Sequence, residues 1–483
     1  MDYSGGHPLR QILQQRIPKA GRVEAMNTTK ECLGQLRESL PPLSANEASV
    51  EANRCLYCYD APCTHACPTH IDIPRFIKKI ATGNLRGSAE TIFASNLLGA
   101  TCARVCPVQE LCEGACVLGA DHKPISIGRL QRYTMDYARE RSAYPIAKAA
   151  PTGRSIAVIG AGPAGLSCAG ELARRGHAVT IFEKRDLPGG LSTYGIIALR
   201  EPIEIAIEET RMIEGLGVKI RTGIEFDRNL PLADLQKDFD AVVLGVGLGR
   251  TPKLGIPGEE TIVDGLDFIE ASKTAPEKLH IGSSVIVIGA GNTAIDCATI
   301  AKRLGAERVT MVYRRTDREM TCYEHEYNFA RREGVEFRFL SRPNRVILEG
   351  KTVAGLECLR VELGAHDASG RPAPVEVAGS EFVIPTDQIV KAIGHEKPAL
   401  AALLGLETKK GFIAIDDHFR TSIAGVYAIG DCTRATGAAS TVMAVQDGKM
   451  AATAIHEQLA NLSNPAKTAQ RPAAARVITT EVK

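Results

Sequence analysis

The sequence predicts an α/β chain in which a helical, cysteine-rich N-terminal region precedes two nested dinucleotide-binding units of Rossmann type. Three observations carry this. A strand, glycine turn, helix and second strand begin at Ser155. The same unit begins again at Val285, with its glycine turn about 130 residues after the first. Eight of the fourteen cysteines lie between Cys55 and Cys116. At 483 residues the chain has length for about three domains.

In the first unit the apolar run Ser155–Ile159 enters Gly160-Ala161-Gly162-Pro163-Ala164-Gly165 directly. The first glycine of a G-x-G-x-x-G turn permits the tight turn. The second lets the backbone approach a pyrophosphate, and the third lets the helix pack close to the strand. The helix N-terminus offers free N–H groups and a positive dipole end to the phosphates. Gly176 is placed to end that helix. Ala178–Phe182 reads as the next strand, and Glu183 at its end suits the adenosine ribose hydroxyls. An ordinary glycine turn is the alternative, and the order strand, turn, helix, strand, acid weighs against it.

In the second unit, Val285–Ile288 leads into Gly289-Ala290-Gly291-Asn292-Thr293-Ala294, Gly305 closes the helix, and Val309–Tyr313 is the next strand. Two such units suggest two dinucleotides, one a bound flavin and the other a diffusible nicotinamide. The second strand here ends not in an acid but in Arg314-Arg315. Guanidinium groups at the ribose position favour a 2′-phosphate, and so NADP(H) over NAD(H). A solvated basic strand end is the competing reading.

Net charge is +2, so nothing points to nucleic acid or an anionic membrane. Met1–Ala25 has no apolar core of a signal peptide, and no run of about 18 apolar residues occurs, so a cytoplasmic location is expected. Without a secretion signal, clustered cysteines read as metal ligation rather than disulfides. Their order is C-x2-C-x4-C-x3-C-P from Cys55 to Pro68, then Cys102, Cys106-Pro107, Cys112 and Cys116. This is close to the bacterial ferredoxin run, in which the cysteine before proline ligates the other of two clusters. Structural zinc is the alternative. Two dinucleotide units favour iron–sulfur clusters, because flavins and four-iron clusters together turn a hydride into single electrons.

Ser44-Ala-Asn-Glu47 is a capping box that should start a helix. The stretch Ile73–Leu98 should be helical with a break at Gly83-Asn84, and residues 145–154 read as a linker. Asp240–Gly245 and Gly425–Asp431 are buried strands, and Thr441 opens a helix aimed at the flavin. The expected domains are 1–145 (two [4Fe–4S] clusters), 154–280 with 395–460 (FAD) and 281–394 (NAD(P)). The Ala/Pro/Thr/Lys-rich tail, 461–483, is expected to be mobile.

Together the cysteine domain, both glycine units, Gly189-Gly190-Leu191 and Gly430-Asp431 resemble the glutamate synthase small-subunit family, over about Ser44 to Leu459. Asp60–Cys63, Ala66–Asp72, Leu98–Pro107 and Ile127–Gln131 are similar to the N-terminal part of dihydropyrimidine dehydrogenase and to the small subunit of its bacterial two-subunit form. The resemblance implies that NAD(P)H reduces FAD. Electrons would then pass through two [4Fe–4S] clusters to a partner subunit whose FMN reduces uracil or thymine. It implies one cluster on Cys55, Cys58, Cys63 and Cys116, and another on Cys67, Cys106, Cys112 and Gln131. Plain cysteine counting would instead assign Cys102. It puts FAD at Gly160–Gly165, Glu183, Lys184, Gly190, Leu191, Arg200, Gly430, Asp431 and Thr441. It puts the nicotinamide coenzyme at Ala290–Thr293, Arg314, Arg315, Ala392 and Gly394. Thr321 stands where the mammalian-type enzyme has a further basic residue.

Three other functions share much of this pattern. They are the glutamate synthase small subunit feeding a large amidotransferase, a ferredoxin–NADP reductase, and a redox-sensing flavoprotein. A thioredoxin-reductase-like activity needs a C-x2-C near the nicotinamide unit, and Cys297 and Cys322 do not form one. Cys168, Cys358 and Cys432 read as packing residues. No catalytic acid or base is assigned, since hydride transfer to a flavin needs positioning rather than a proton shuttle.

Overall fold

The computed structural model describes residue 34 and residues 36–461, except 229, 368–369 and 436–438. The expectations for Met1–Ala25 and for the tail beyond Asn461 lie outside the described residues. The chain divides into two units.

One unit joins Pro42–Gly190, Glu208–Leu248 and the chain from Lys397 onward. It opens with short helices whose limits follow from their caps. Ser44 caps Ala45–Asn53: its hydroxyl accepts from Glu47 N, and the Glu47 carboxylate accepts from Ser44 N at 2.8 Å. Asp72 caps Ile73–Ala81, where Ile73, Phe76, Ile77 and Ile80 recur at helical spacing and are buried. Burial of each such side chain contributes roughly 1.5–3 kcal/mol. The chain turns through Gly83 (φ 74°), and Asn84 caps Leu85–Phe93. The cysteine helix Gly99–Val105 lacks a side-chain cap of its own. The Glu209 carboxylate, distant in sequence, accepts from Ala100 N at 2.7 Å and Thr101 N at 3.2 Å.

The five-stranded parallel sheet of this unit runs Val426–Ala428, Ala241–Leu244, Ser155–Ile159, Ala178–Phe182, Lys219–Arg221. Its central strands are buried and read as unbroken apolar runs, as strands covered on both faces do. The outer strand Val426–Ala428 comes from the far end of the chain, so the second nucleotide unit is inserted into the first. The long helix Thr441–Asn461 packs on Pro163–Arg174. Gly448 permits the contact: a Cβ there would lie 2.3 Å from Ala164 O.

The other unit contains Leu191–Ile207 and Gly249–Glu396. Its parallel sheet runs Val263–Asp264, Gln388–Lys391, Ser284–Ile288, Arg308–Val312, Glu336–Arg338. Here the expected boundary at residue 281 needs correction. Val263–Asp264 pairs with Val390–Lys391, and helix Gly265–Thr274 packs on Asn292–Arg303, so residues from 249 onward fold with the nicotinamide unit. The sequence reading also did not separate out an antiparallel sheet, built on the long strand Thr352–His366. Among the described residues no helix is long and apolar enough to cross a membrane.

Candidate redox-cofactor sites

The eight clustered cysteines fall into two sets. Cys55 and Cys58 flank Tyr57, which takes φ 52° and bends the chain between them. The Tyr57 hydroxyl donates to Ala52 O at 3.0 Å, tying that bend to the preceding helix. Cys63 lies in the short helix Pro62–Ala66, and Cys116 precedes the turn Val117–Gly119. These four cysteines line one cavity, with Pro62 and Ile73 among its apolar walls. Burial, then Cys116 and Cys55, push the Cys63 thiol up to about 11. Ile125 N donates to Cys116 Sγ at 3.5 Å, the kind of amide–sulfur bond that tunes a cluster.

The second set is Cys67, Cys102, Cys106 and Cys112; Gln131 lies on the helix Ile127–Glu140, which packs against the helix that carries Cys102. Cys67 and Cys106 each end a helix in extended backbone. The Cys102 side chain and burial hold the Cys106 thiol well above its ordinary range, with Cys112 and Cys67 adding to the effect. Burial, then Glu113, push up the Cys112 thiol. Gln131 is buried on helix Ile127–Glu140, and its Nε2 donates to Gly99 O at 2.8 Å. The carbonyl acceptor fixes the amide orientation, leaving Oε1 as the ligand-type atom.

These residues fit iron–sulfur clusters better than zinc. Buried thiols that raise one another's pKa need a compensating cationic group before they can be thiolates. A zinc ion draws four sulfurs to about 2.3 Å each. Among the described residues no three His, Cys, Asp or Glu side chains converge closely enough to hold a single ion. Cys55, Cys58, Cys63 and Cys116 instead surround a cavity, as a larger cluster requires. His65 is not drawn in: its Nε2 lies 2.5 Å from Asp60 Oδ1 at an exposed position.

The first glycine turn is a tight cradle. Gly160 has φ 99°, and a Cβ on it would lie 2.5 Å from Gly245 O. A Cβ on Gly165 would lie 2.0 Å from Gly160 O, so only glycine lets Pro163–Arg174 start so close to the strand. A Cβ on Gly190 would meet Gly162 Cα at 2.7 Å. Glu183 is buried; its carboxylate accepts from Ala161 N at 2.8 Å and Arg185 N at 2.9 Å. Lys184 is exposed beside it. Gly430 (φ 74°) lies against Ala164, and Thr441 begins the long helix. Asp431 is the telling group. Its Oδ1 is buried without a protein hydrogen-bond partner, and burial raises its carboxyl pKa. A polar ligand in the cradle would satisfy it, and FAD, with its ribityl hydroxyls, fits.

Arg200 was expected at this cradle. It belongs to the other unit, where its guanidinium bonds Asp296 and, at 2.6 Å, Glu326. Leu191 is likewise in that unit and exposed. Burial, opposed by Arg200, pushes the Asp296 carboxyl up to about 7.

At the second turn a Cβ on Gly289 (φ 135°) would lie 2.2 Å from Ala392 O. Gly291 caps Asn292–Arg303. The Ala290 carbonyl accepts from Thr321 N and Cys322 N, and Asn292 Oδ1 accepts from Tyr323 N at 3.0 Å. Thr293 follows Asn292 in the first turn of that helix, and Gly394 (φ 99°) follows Ala392 beyond the end of the neighbouring strand. Arg314 is exposed. Arg315 is not: it is 2% exposed and bonds Asp367 and Pro372 O within its own unit. Of the expected pair of phosphate-binding arginines, Arg315 is therefore withdrawn, and only Arg314 is exposed.

Residues 154–448 match the family described as pyridine nucleotide-disulphide oxidoreductase. The chain belongs to that family. Residues 33–143 match dihydropyrimidine dehydrogenase domain II, 4Fe-4S cluster. The glutamate synthase [NADPH] small chain of Escherichia coli (strain K12) is 35% identical over 439 residues, covering 86% of this chain and 93% of that one. The NAD-dependent dihydropyrimidine dehydrogenase subunit PreT of the same organism is 35% identical over 424 residues, covering 88% and 97%. Mycobacterium tuberculosis FprA in complex with NADPH superposes with TM-score 0.53 at 20% identity, over 65% of this chain and 86% of that one, which shows a shared fold. This pyridine nucleotide-disulphide oxidoreductase is thus an NAD(P)H-dependent flavin and iron–sulfur electron-transfer protein, with FAD, NAD(P)H and [4Fe–4S] clusters as its cofactors.

Sequence reasoning missed Asp447 and Lys449. The Asp447 carboxylate bonds Arg434, and Lys449 reaches the cysteine domain. Their signal was the motif Gln446-Asp447-Gly448-Lys449, whose glycine marks a close helix crossing.

Proposed function

We propose that this chain is the electron-input subunit of a dihydropyrimidine dehydrogenase, working with an FMN-containing partner that reduces uracil or thymine to the 5,6-dihydropyrimidine. The observation that carries the reading is Gln131, whose amide donates to Gly99 O on the helix that carries Cys102, in a segment matching dihydropyrimidine dehydrogenase domain II. Bound FAD supplies the conversion of a two-electron hydride donor into single electrons, which the iron–sulfur clusters carry. The chain's own residues bind and orient. Glycine backbone at residues 160–165 and the helix after it hold the pyrophosphate. Glu183 faces the adenosine ribose, and Asp431 meets the polar chain of the flavin. Gly289–Thr293 and Arg314 hold the nicotinamide coenzyme. Cys55, Cys58, Cys63 and Cys116 hold one cluster, and Cys67, Cys106, Cys112 and Gln131 the other.

A second reading has its own support: the glutamate synthase [NADPH] small chain is as similar as PreT, and on that reading the partner would be a large amidotransferase subunit. Purification from the native cell separates the two. Dihydrouracil formation from NAD(P)H and uracil, dependent on a co-purified FMN protein, supports the proposal. A glutamine-dependent amidotransferase as the stable partner overturns it. The 483-residue chain alone should reduce a dye acceptor and leave uracil untouched.

A further inference from the structure

The long helix Thr441–Asn461 belongs to the FAD-binding part, yet its third turn reaches the cysteine domain. Lys449 Nζ donates to Thr69 O at 2.8 Å and to Ser95 O at 3.1 Å. Thr69 is fully buried, follows Cys67-Pro68, and has its Oγ1 3.4 Å from Cys67 Sγ. The lysine is held in place from behind. Gly448 lies against the backbone of Ala164 and Cys168, where any Cβ would collide, so the helix cannot slide along its neighbour.

The charge on Lys449 is not cancelled where it sits. Both acceptors of its ammonium are neutral carbonyls. The nearby acid, Glu171, is already paired with Arg175 at 2.5 Å and Arg174 at 3.3 Å. Around this corner three cations face one carboxylate and the Cys67 sulfur. Lys449 is half-buried, so water screens it less than at the open surface.

We propose that Lys449 is a potential-setting residue: the FAD-binding part lends its ammonium to the Cys67-Pro68-Thr69 loop, raising the reduction potential of the cluster that Cys67 ligates. The reduced cluster carries one more negative charge than the oxidised one, so a fixed cation nearby favours reduction. The same contact ties that potential to correct docking of the FAD-binding part, since Lys449 arrives only with its helix. The inference rests on Cys67 as a cluster ligand and is independent of which partner takes the electrons.

The test is an anaerobic redox titration of the full chain, followed by electron paramagnetic resonance. Cys67→Ser identifies the signal concerned. In Lys449→Met and Lys449→Gln that signal's midpoint should move negative, while the other signal stays fixed and iron content is unchanged. Lys449→Arg should keep the parent's midpoint. Gln retains two donors without the charge, so if Lys449→Gln matches the parent, the lysine is only a structural clasp and the inference fails. Equal movement of both signals, or movement of neither, also overturns it. If Lys449→Met does not load iron, the Gln and Arg pair carries the test. A Cys67→Ser chain with both signals intact removes the cluster from this loop, and the inference with it.

Discussion

Nη2 of Arg315 sits 2.6 Å from Oδ2 of Asp367, and its Nε sits 2.8 Å from Pro372 O. Two adjacent arginines at one strand end therefore have different duties. Arg315 fastens the antiparallel sheet to the nucleotide sheet, and Arg314 is left exposed. Arg314→Ser should raise the NADPH KM about tenfold or more and the NADH KM little, since a lost charge-assisted phosphate contact is worth about 1.5–3 kcal/mol. Arg315→Ser should instead lower the melting temperature, by the equivalent of about 1–3 kcal/mol, because it leaves a carbonyl and a carboxylate short of a partner. Steady-state kinetics with both coenzymes decide it. A parent enzyme that prefers NADH would make Arg314 mere surface charge.

Stability should depend on pH through a buried histidine. His177 Nε2 lies 2.9 Å from His456 Nδ1, and its Nδ1 lies 2.8 Å from Thr152 Oγ1. Burial, then His456, Arg175 and Arg154, hold the His177 pKa down to about 4, with Asp240 opposing. Between its ordinary value of 6.5 and about 4, the unfolded chain binds a proton at this site that the folded chain refuses. Stability is thus lost as pH falls through that window, by at most about 1.4 kcal/mol per pH unit, and no further loss comes from this group below it. Urea midpoints from pH 7 to 4 measure this. His177→Gln should flatten the curve relative to the parent, and superimposable curves would refute the assignment.

What the sequence made legible were features that neighbours along the chain enforce. The Ser44 cap, the Gly83-Asn84 break, the Gly160–Gly165 turn and the strand ending at Glu183 each rest on a few adjacent residues, and the structure has them where expected. What was not legible depends on partners far away. Val263–Asp264 is too short to announce a strand, and only pairing with Val390–Lys391 makes it one. Arg315 looks like a phosphate ligand until Asp367 is brought to it. Glu209 is an ordinary helical acid until it caps the cysteine helix from more than a hundred positions away. Asp431 was legible as a motif, but its unpartnered oxygen, the feature that asks for a ligand, belongs to packing alone.

At the second cysteine set, cysteine counting and family resemblance assign different fourth ligands. Cys102 completes a group of four thiols with Cys67, Cys106 and Cys112, and it is close enough to Cys106 to bond it. Gln131 reaches the same helix through Gly99 O, with its amide nitrogen committed there. If Gln131 is the fourth ligand, a neutral oxygen replaces a thiolate. That cluster is then less negative and takes an electron more readily than an all-thiolate cluster in the same surroundings. Cys102, buried on the inner face of its helix, is then a packing residue. Cys102→Ser should keep about eight irons per chain, as two four-iron clusters require, and the parent's cluster spectrum. Gln131→Ala should lose or reshape one cluster signal in iron analysis and electron paramagnetic resonance. Gln131→Cys should retain the cluster but shift its midpoint negative. If Cys102→Ser loses a cluster while Gln131→Ala keeps both, the thiol is the ligand, and the glutamine merely braces the helix that carries it.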